Sequence, residues 1–255
     1  MVDPVHGTCR LFGSLATYAG ATDPGRVRRG NEDNLLLLPE VGVFAVADGL
    51  GGLAAGDVAS STALAHLRDL CSSQQASGGG EAPSRLGAMI AAVNRHTYEQ
   101  RLALGNNMAT TLALVQFGAD TALAAHVGDS RIYHWHDHAL TRVTSDHSLV
   151  NALYEQGALT ASQARQSPQR HVITRAIGAE PTVLPSIRPV AMVPGDTLLL
   201  CTDGLTSMVA DEEIAACLEN GQDGAARLVD RLVDLANAAG GYDNITVIVV
   251  MIPEE

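Results

Sequence analysis

Short apolar runs bounded by Gly, Asp or Pro punctuate the chain at 34–38, 42–47, 110–117, 121–127, 197–201 and 244–251. Their length and punctuation predict buried strands. Between the second and third runs, two stretches carry helical periodicity, 56–70 and 84–104. The second places Leu86, Met89, Ile90 and Val93 on one face. A later helix is predicted over 224–238, where Leu228, Val229, Leu232, Val233 and Leu235 recur at helical spacing. The polar Gly/Ser-rich stretch 72–83 reads as a surface connection within one domain. The order is strands, two helices, several strands, a helix and a last strand. It departs from the β-α-β alternation of a parallel doubly wound sheet and predicts an α+β fold of antiparallel sheets carrying helices.

Composition narrows the chemistry. The 255 residues carry a formal net charge of −12, and all 16 cationic Lys+Arg positions are Arg. Without lysine there is no Schiff-base amine, pyridoxal phosphate anchor or P-loop contact. The acidic balance argues against a nucleic-acid partner. No apolar stretch approaches the roughly 18 residues of a membrane span, and the N-terminus lacks the basic and apolar regions of a signal peptide. A cytoplasmic chain is therefore expected. Cys9, Cys71, Cys201 and Cys217 are scattered and expected to be free thiols.

One arrangement recurs. An apolar run ends in an Asp flanked by Gly at Asp48-Gly49, Gly128-Asp129 and Asp203-Gly204, and Asp243 follows Gly240-Gly241-Tyr242 just before the last strand. Asp–Gly is ordinary turn chemistry. Four such acids on buried strands, however, would crowd carboxylates into one partly buried site if the strand ends converge. Like-charge repulsion then raises their pKa values unless cations intervene. Glu32 and the backbone carbonyls extend the donor set, and hard all-oxygen ligands suit Mg²⁺ or Mn²⁺ rather than zinc. Arg28, close in sequence to Glu32 and Asp33, is a permanently charged fork able to bind two phosphate oxygens. Carboxylates, hard metals and one Arg are the parts of a metal-assisted phosphoryl hydrolase.

Read in order, Arg28-x-x-x-Glu32-Asp33, Asp48-Gly49-x-Gly51-Gly52-x-x-x-Gly56, Met108-Ala109-Thr110-Thr111, Gly128-Asp129-Ser130-Arg131, Thr202-Asp203-Gly204-Leu205 and Gly241-x-Asp243-Asn244-Ile245-Thr246 resemble the successive motifs of the metal-dependent protein phosphatases (PPM family, protein phosphatase 2C-like). The likeness runs from about residue 17 to 250 and is greatest to the compact bacterial Ser/Thr phosphatases. It implies a single catalytic domain over 1–255. Its expected fold is a four-layer α-β-β-α sandwich of two antiparallel sheets flanked by helices, with a mobile flap at about 150–171.

The resemblance further implies a binuclear Mn²⁺ or Mg²⁺ centre, two ions per chain with room for a third. Asp48 would bridge both ions and the Gly49 carbonyl would ligate one. Asp203 and Asp243 would complete the other site, Glu32 would hold water at the centre, and Asp129 would bind the third ion. Water held between the metals would attack phosphorus in line while Arg28 clamps the phosphoryl oxygens. Arg28 and Asp48 are thus the expected catalytic residues, supported by Asp33 and Asn244. Some relatives carry a His after the Asp-Gly pair as leaving-group acid; Leu50 stands there in this chain. His171, in the flap segment, falls near a position that approaches the third metal, although a surface His is the plainer reading.

The implied activity is hydrolysis of phosphoserine and phosphothreonine, reversing a bacterial Ser/Thr kinase. The implied partners are phosphorylated proteins, the kinase and its substrates included, for a monomer that engages neither nucleic acid nor membrane. A non-catalytic phosphatase-like regulatory module and a small-molecule phosphomonoesterase are the alternatives. Other phosphatase chemistries fail by inspection: no C-x-x-x-x-x-R, no D-x-D at Asp48, no G-x-S-x-G. The run His134-Trp135-His136-Asp137-His138 reads as an exposed hairpin turn. Alternation places its three histidines on one side, where nickel or zinc could bind adventitiously.

Overall fold

Alternating residues along each central strand belong to different layers, and this parity organises the molecule. A computed structural model describes residues 4–52, 55–73, 81–119, 121–221 and 223–254. The strands are β1 (Val5–Leu11), β2 (Ser14–Asp23), β3 (Asp33–Leu38), β4 (Val43–Leu50), β5 (Ala109–Thr110), β6 (Leu112–Phe117), β7 (Ala122–Val127), β8 (Arg131–His136), β9 (Ala139–Arg142), β10 (Ser186–Val190), β11 (Thr197–Cys201) and β12 (Ile245–Met251). The helices are α1 (Ala55–Ser72), α2 (Ala82–Leu104), α3 (Leu149–Glu155), α4 (Ala161–Gln166), α5 (Asp203–Thr206), α6 (Asp211–Glu219) and α7 (Ala225–Ala238). One six-stranded sheet runs β1-β2-β12-β11-β8-β9. The other runs β10-β7-β6-β4-β3, with β5 beside β4. Their strand pairs are antiparallel.

Phe44 and Val46 of β4, Leu198 and Leu200 of β11, and Ile248 and Val250 of β12 meet between the sheets. Their neighbours turn outward. Val43, Ala45 and Ala47 pack against Leu64, Leu67 and Ile90 of α1 and α2. Leu199, Val247 and Val249 pack against Leu228, Val229, Leu232 and Val233 of α7. The layers are therefore helix, sheet, sheet, helix, as the resemblance implied. The apolar runs are continuous because both faces of each sheet are covered, a pattern more often met in parallel sheets.

The predicted strands and helices are all present, with ends shifted by up to three residues, and 110–117 is interrupted at Thr111. Residues 74–80 of the Gly/Ser-rich connection lie outside the described residues. Strands β1, β2 and β10 and helices α3 to α6 escape the hydrophobic pattern. β1 is a largely exposed strand at the edge of its sheet, and β2 presents Ala16, Ala19 and Ala21 to the core in place of large apolar groups. The histidine-rich hairpin needs correction. Only Asp137 and His138 form its turn, both at positive φ (46° and 60°), the geometry that suits a two-residue hairpin. His134 and His136 lie within β8, whereas His138 leaves their side and meets Glu219 at 2.9 Å.

Phe44 is fully buried, its ring 5.4 Å from that of Tyr18 and 5.8 Å from that of Phe117. Phe44→Ala should cost about 3–5 kcal/mol in urea unfolding, whereas a loss below about 1 kcal/mol would mean the inter-sheet layer is not packed as described.

Candidate metal centre

Antiparallel pairing delivers the Asp–Gly turns to one end of both sheets. In one sheet the C-terminal end of β4 lies beside the start of β3, with Asp33 opposite Asp48, and the end of β7 lies beside the start of β6. In the other, the end of β11 lies beside the start of β12. Asp48, Asp129, Asp203 and Asp243 thus emerge together.

Asp33 ties the two sheets at this end. Its Oδ2 accepts hydrogen bonds from Thr202 Oγ1 (2.8 Å) and Thr246 Oγ1 (2.7 Å), both on the opposite sheet's side. Thr246 Oγ1 also meets Thr22 Oγ1 at 2.7 Å, which accepts from Asn31 Nδ2. Burial drives the Asp33 carboxyl well above its ordinary range; the two hydroxyls pull it down, and the charges of Asp203 and Asp243 push it further up.

Asp48 is fixed through its backbone. Its N–H donates to Thr111 Oγ1 (2.9 Å), and its carbonyl accepts from Thr111 N–H (2.8 Å) and Thr110 Oγ1 (2.9 Å). The N–H thus bonds a side chain where the ladder would use a carbonyl, which explains the interruption at Thr111. Burial raises the Asp48 carboxyl far above its usual value, and the charges of Asp33, Asp203, Asp129 and Asp243 add to it. Asp129 is raised to about 7 by burial and then by Asp203 and Asp146. Glu32 is raised by burial, against the pull of Arg28.

Glycine is required where the chain closes on this site. A Cβ on Gly49 would collide with the carbonyl oxygens of Gly56 and Glu32, and one on Gly56 with the Glu32 carboxylate. The loop bearing Arg28 and Glu32 is held by Asn244, whose Nδ2 donates to the carbonyls of Pro24 (3.0 Å) and Gly30 (2.9 Å). Its Oδ1 accepts the Glu32 N–H (2.9 Å). Arg28 donates to Asp243 Oδ2 at 2.8 Å with its side chain 54% exposed. An exposed pair of this kind is worth little, so the guanidinium is free to change partners.

A cleft of about 600 Å³ opens beside Asp129 and Asp203 and runs along α3 and α4, bordered by Arg142, Arg165 and Arg170. His171 sits at its inner end with Nδ1 3.7 Å from Asp203 Oδ2, a carboxylate that raises the imidazole's pKa. At the cleft's root Arg131 grips Asp146 through Nε (3.0 Å) and Nη2 (2.8 Å). His147 joins the same segment to the Gly128-Asp129 turn. Its Nδ1 accepts the Gly128 N–H at 3.2 Å and its ring stacks on His126. Burial, then His126 and Arg175, push His147 down to about 3, so the ring is neutral and able to accept. Leu50, beyond Gly49, offers no proton.

All the sequence-derived candidates, Arg28, Glu32, Asp33, Asp48, Gly49, Asp129, His171, Asp203, Asp243 and Asn244, come to this end of the molecule. Unassigned from sequence were Thr202, Thr246, Thr111, Arg131, Asp146 and His147. The signal for Thr246 was parity: it precedes Ile248 and Val250 on the face turned to the other sheet, where a hydroxyl needs a partner. The donor set fits divalent cations. Several buried carboxylates carry pKa values raised by burial and by neighbouring negative charge, and their oxygens, with the Gly49 carbonyl, are hard ligands suited to Mn²⁺ or Mg²⁺.

Comparison with known proteins agrees. The family model described as protein phosphatase 2C matches residues 29–245. The serine/threonine phosphatase stp of Listeria monocytogenes is 37% identical over 235 residues, which cover 90% of this chain and 93% of the relative. The serine/threonine protein phosphatase PstP of Mycobacterium tuberculosis is 36% identical over 234 residues, 91% of this chain. The match spans only 44% of that longer protein. A crystal structure of the catalytic domain of PstP in complex with two manganese ions superposes with a TM-score of 0.82 at 34% identity, covering 94% of this chain and 99% of that one. With motifs, four-layer fold and relatives in accord, the chain belongs to the protein phosphatase 2C family of serine/threonine phosphatases.

Proposed function

We propose that this chain hydrolyses phosphoserine and phosphothreonine in proteins at a binuclear centre for Mn²⁺ or Mg²⁺, undoing the work of a Ser/Thr kinase. The observation that carries the reading is the convergence of Asp48, Asp129, Asp203 and Asp243 at one end of both sheets, with Arg28 beside them. In this reading Asp48, the Gly49 carbonyl, Asp203 and Asp243 would hold the two cations, and Asp129 would hold a third, weaker one. When bound, the cations would supply charge neutralisation for the phosphoryl oxygens and a lowered pKa for water.

The chain's own residues do the rest. Arg28 exchanges Asp243 for two phosphoryl oxygens and orients the ester. Glu32 accepts a hydrogen bond from water at the centre, steadied by Asn244 through its backbone N–H. Asp33 keeps the two sheet ends in register beneath Asp48. Leu50 cannot protonate the leaving hydroxyl, so that proton comes from solvent at the cleft, with His171 nearby. The open cleft along α3 and α4 suits an extended polypeptide. The expected setting is a monomer in the cytoplasm.

Hydrolysis of an aryl phosphate and of a phosphothreonine peptide should require Mn²⁺ or Mg²⁺ and vanish in EDTA. Asp48→Asn and Asp243→Asn should each lower kcat more than about a hundredfold, beyond the effect of residues that merely orient a ligand, with an unchanged circular dichroism spectrum. Near-wild-type turnover in either variant would show the centre to be elsewhere.

A second outcome concerns the metal-free protein. A carboxyl raised from 3.8 to about 7 binds a proton in the folded chain that the unfolded chain releases. Its contribution to stability is full below the unfolded pKa and is lost as pH rises through about 7. In EDTA, Asp129→Asn should therefore gain in melting temperature over the wild type between about pH 5 and about pH 8. A difference that stays flat across that window would contradict the assigned shift.

A further inference from the structure

A second cluster of ligating side chains lies at the far end of the same strand. Asp196 immediately precedes β11 and Asp203 follows it, so seven residues at about 3.3 Å each put the two roughly 20 Å apart. Asp196 is 1% exposed. Its Oδ1 lies 2.6 Å from His136 Nδ1, and its Oδ2 lies 2.8 Å from His134 Nε2. Oδ2 also accepts the Val193 N–H at 2.8 Å, which fixes the carboxylate's orientation from behind. The histidines are two apart on β8 and so share one face of the sheet. One ligand atom from each of the three residues lies within 4.8 Å of the others. His134 is mostly buried, whereas the His136 side chain is 56% exposed and opens the cluster to water.

We propose that His134, His136 and Asp196 form a second metal site, separate from the catalytic end, for a borderline divalent ion of the Zn²⁺ class. Two imidazoles and one carboxylate are a common zinc donor set, whereas the all-oxygen site at the other end selects harder ions. Metal–ligand bonds of about 2.0–2.2 Å in a tetrahedron set neighbouring ligand atoms about 3.3 Å apart. The two N···O contacts, 2.6 and 2.8 Å, fall short of that by only about 0.5–0.7 Å, and an ion takes the place of the N–H protons once each neutral imidazole carries its proton on the other ring nitrogen. Water completes the coordination on the His136 side. His138, turned away to Glu219, is not a ligand. The bound ion clips β8 to a residue 60 positions further along the chain and fastens the sheet at the end remote from catalysis.

The test is calorimetric titration of Zn²⁺ into untagged protein held in saturating Mn²⁺, with melting temperature as a second readout. Wild type should bind one equivalent and melt at a higher temperature when Zn²⁺ is added. His136→Ala and His134→Gln should lose at least tenfold in affinity together with that thermal gain, and His136→Ala should keep wild-type Mn²⁺-dependent hydrolysis. His138→Ala should bind as wild type does. Equal binding by His136→Ala and wild type would overturn the proposal, as would absence of Zn²⁺ binding by the wild type. An equal loss in His138→Ala would overturn it too, showing surface chelation by the hairpin instead. The comparisons of His136→Ala and His138→Ala with wild type read this cluster alone, whatever the catalytic end binds.

Discussion

Carboxylates crowded into one partly buried place repel each other, and each resists ionisation there. The end of this sandwich is organised around that conflict. Asp33, Asp48 and Asp129 are all raised above their ordinary range, first by burial and then by the negative charge of neighbouring acids, Asp203 among them in each case. Such a cluster has two ways to relax, protons or divalent cations. In the proposed reading, the cation-bound form is the one that would carry out phosphoryl chemistry. Asp33 keeps the conflict from being relieved by the sheets moving apart, because its carboxylate oxygen is held by hydroxyls from both Thr202 and Thr246.

The fold concentrates charge in this way without exposing its core. Antiparallel pairing sends the end of one strand beside the start of the next, so turns that are distant in sequence share one edge. The alternation of layers then leaves room for a few polar side chains on the inward face, such as Thr246, only where the core ends. Glycines at 49 and 56 let three backbone segments touch, which places a carbonyl and the Glu32 carboxylate where a side chain would otherwise stand. The cleft along α3 and α4 is tied to the same edge through Arg131–Asp146 and His147–Gly128.

The centre's acids were legible in the sequence because each sits beside glycine at the end of an apolar run, a local signal. The layered architecture followed from element order and from the family motifs. Illegible were features set by partners far away in the chain. Thr202 and Thr246 lie 169 and 213 residues from Asp33; parity marks Thr246 as a hydroxyl in need of a partner, but nothing local names Asp33 as that partner. Strand β2, built on alanines, carried too little hydrophobic contrast to be seen. The histidine run was visible, but not the company it keeps: the turn at Asp137–His138 resets the alternation, and Asp196 arrives from the residue just before β11.

The claim that these carboxylates hold either protons or divalent cations can be measured directly. Calorimetric titration of Mn²⁺ into the metal-free protein, repeated in buffers of different ionisation enthalpy, counts the protons released on binding. Mn²⁺ should bind with release of protons at about pH 6 and fewer at about pH 8, because the Asp129 carboxyl, raised to about 7, has by then already ionised. Binding without proton release at the lower pH, or no binding at all, would contradict the account.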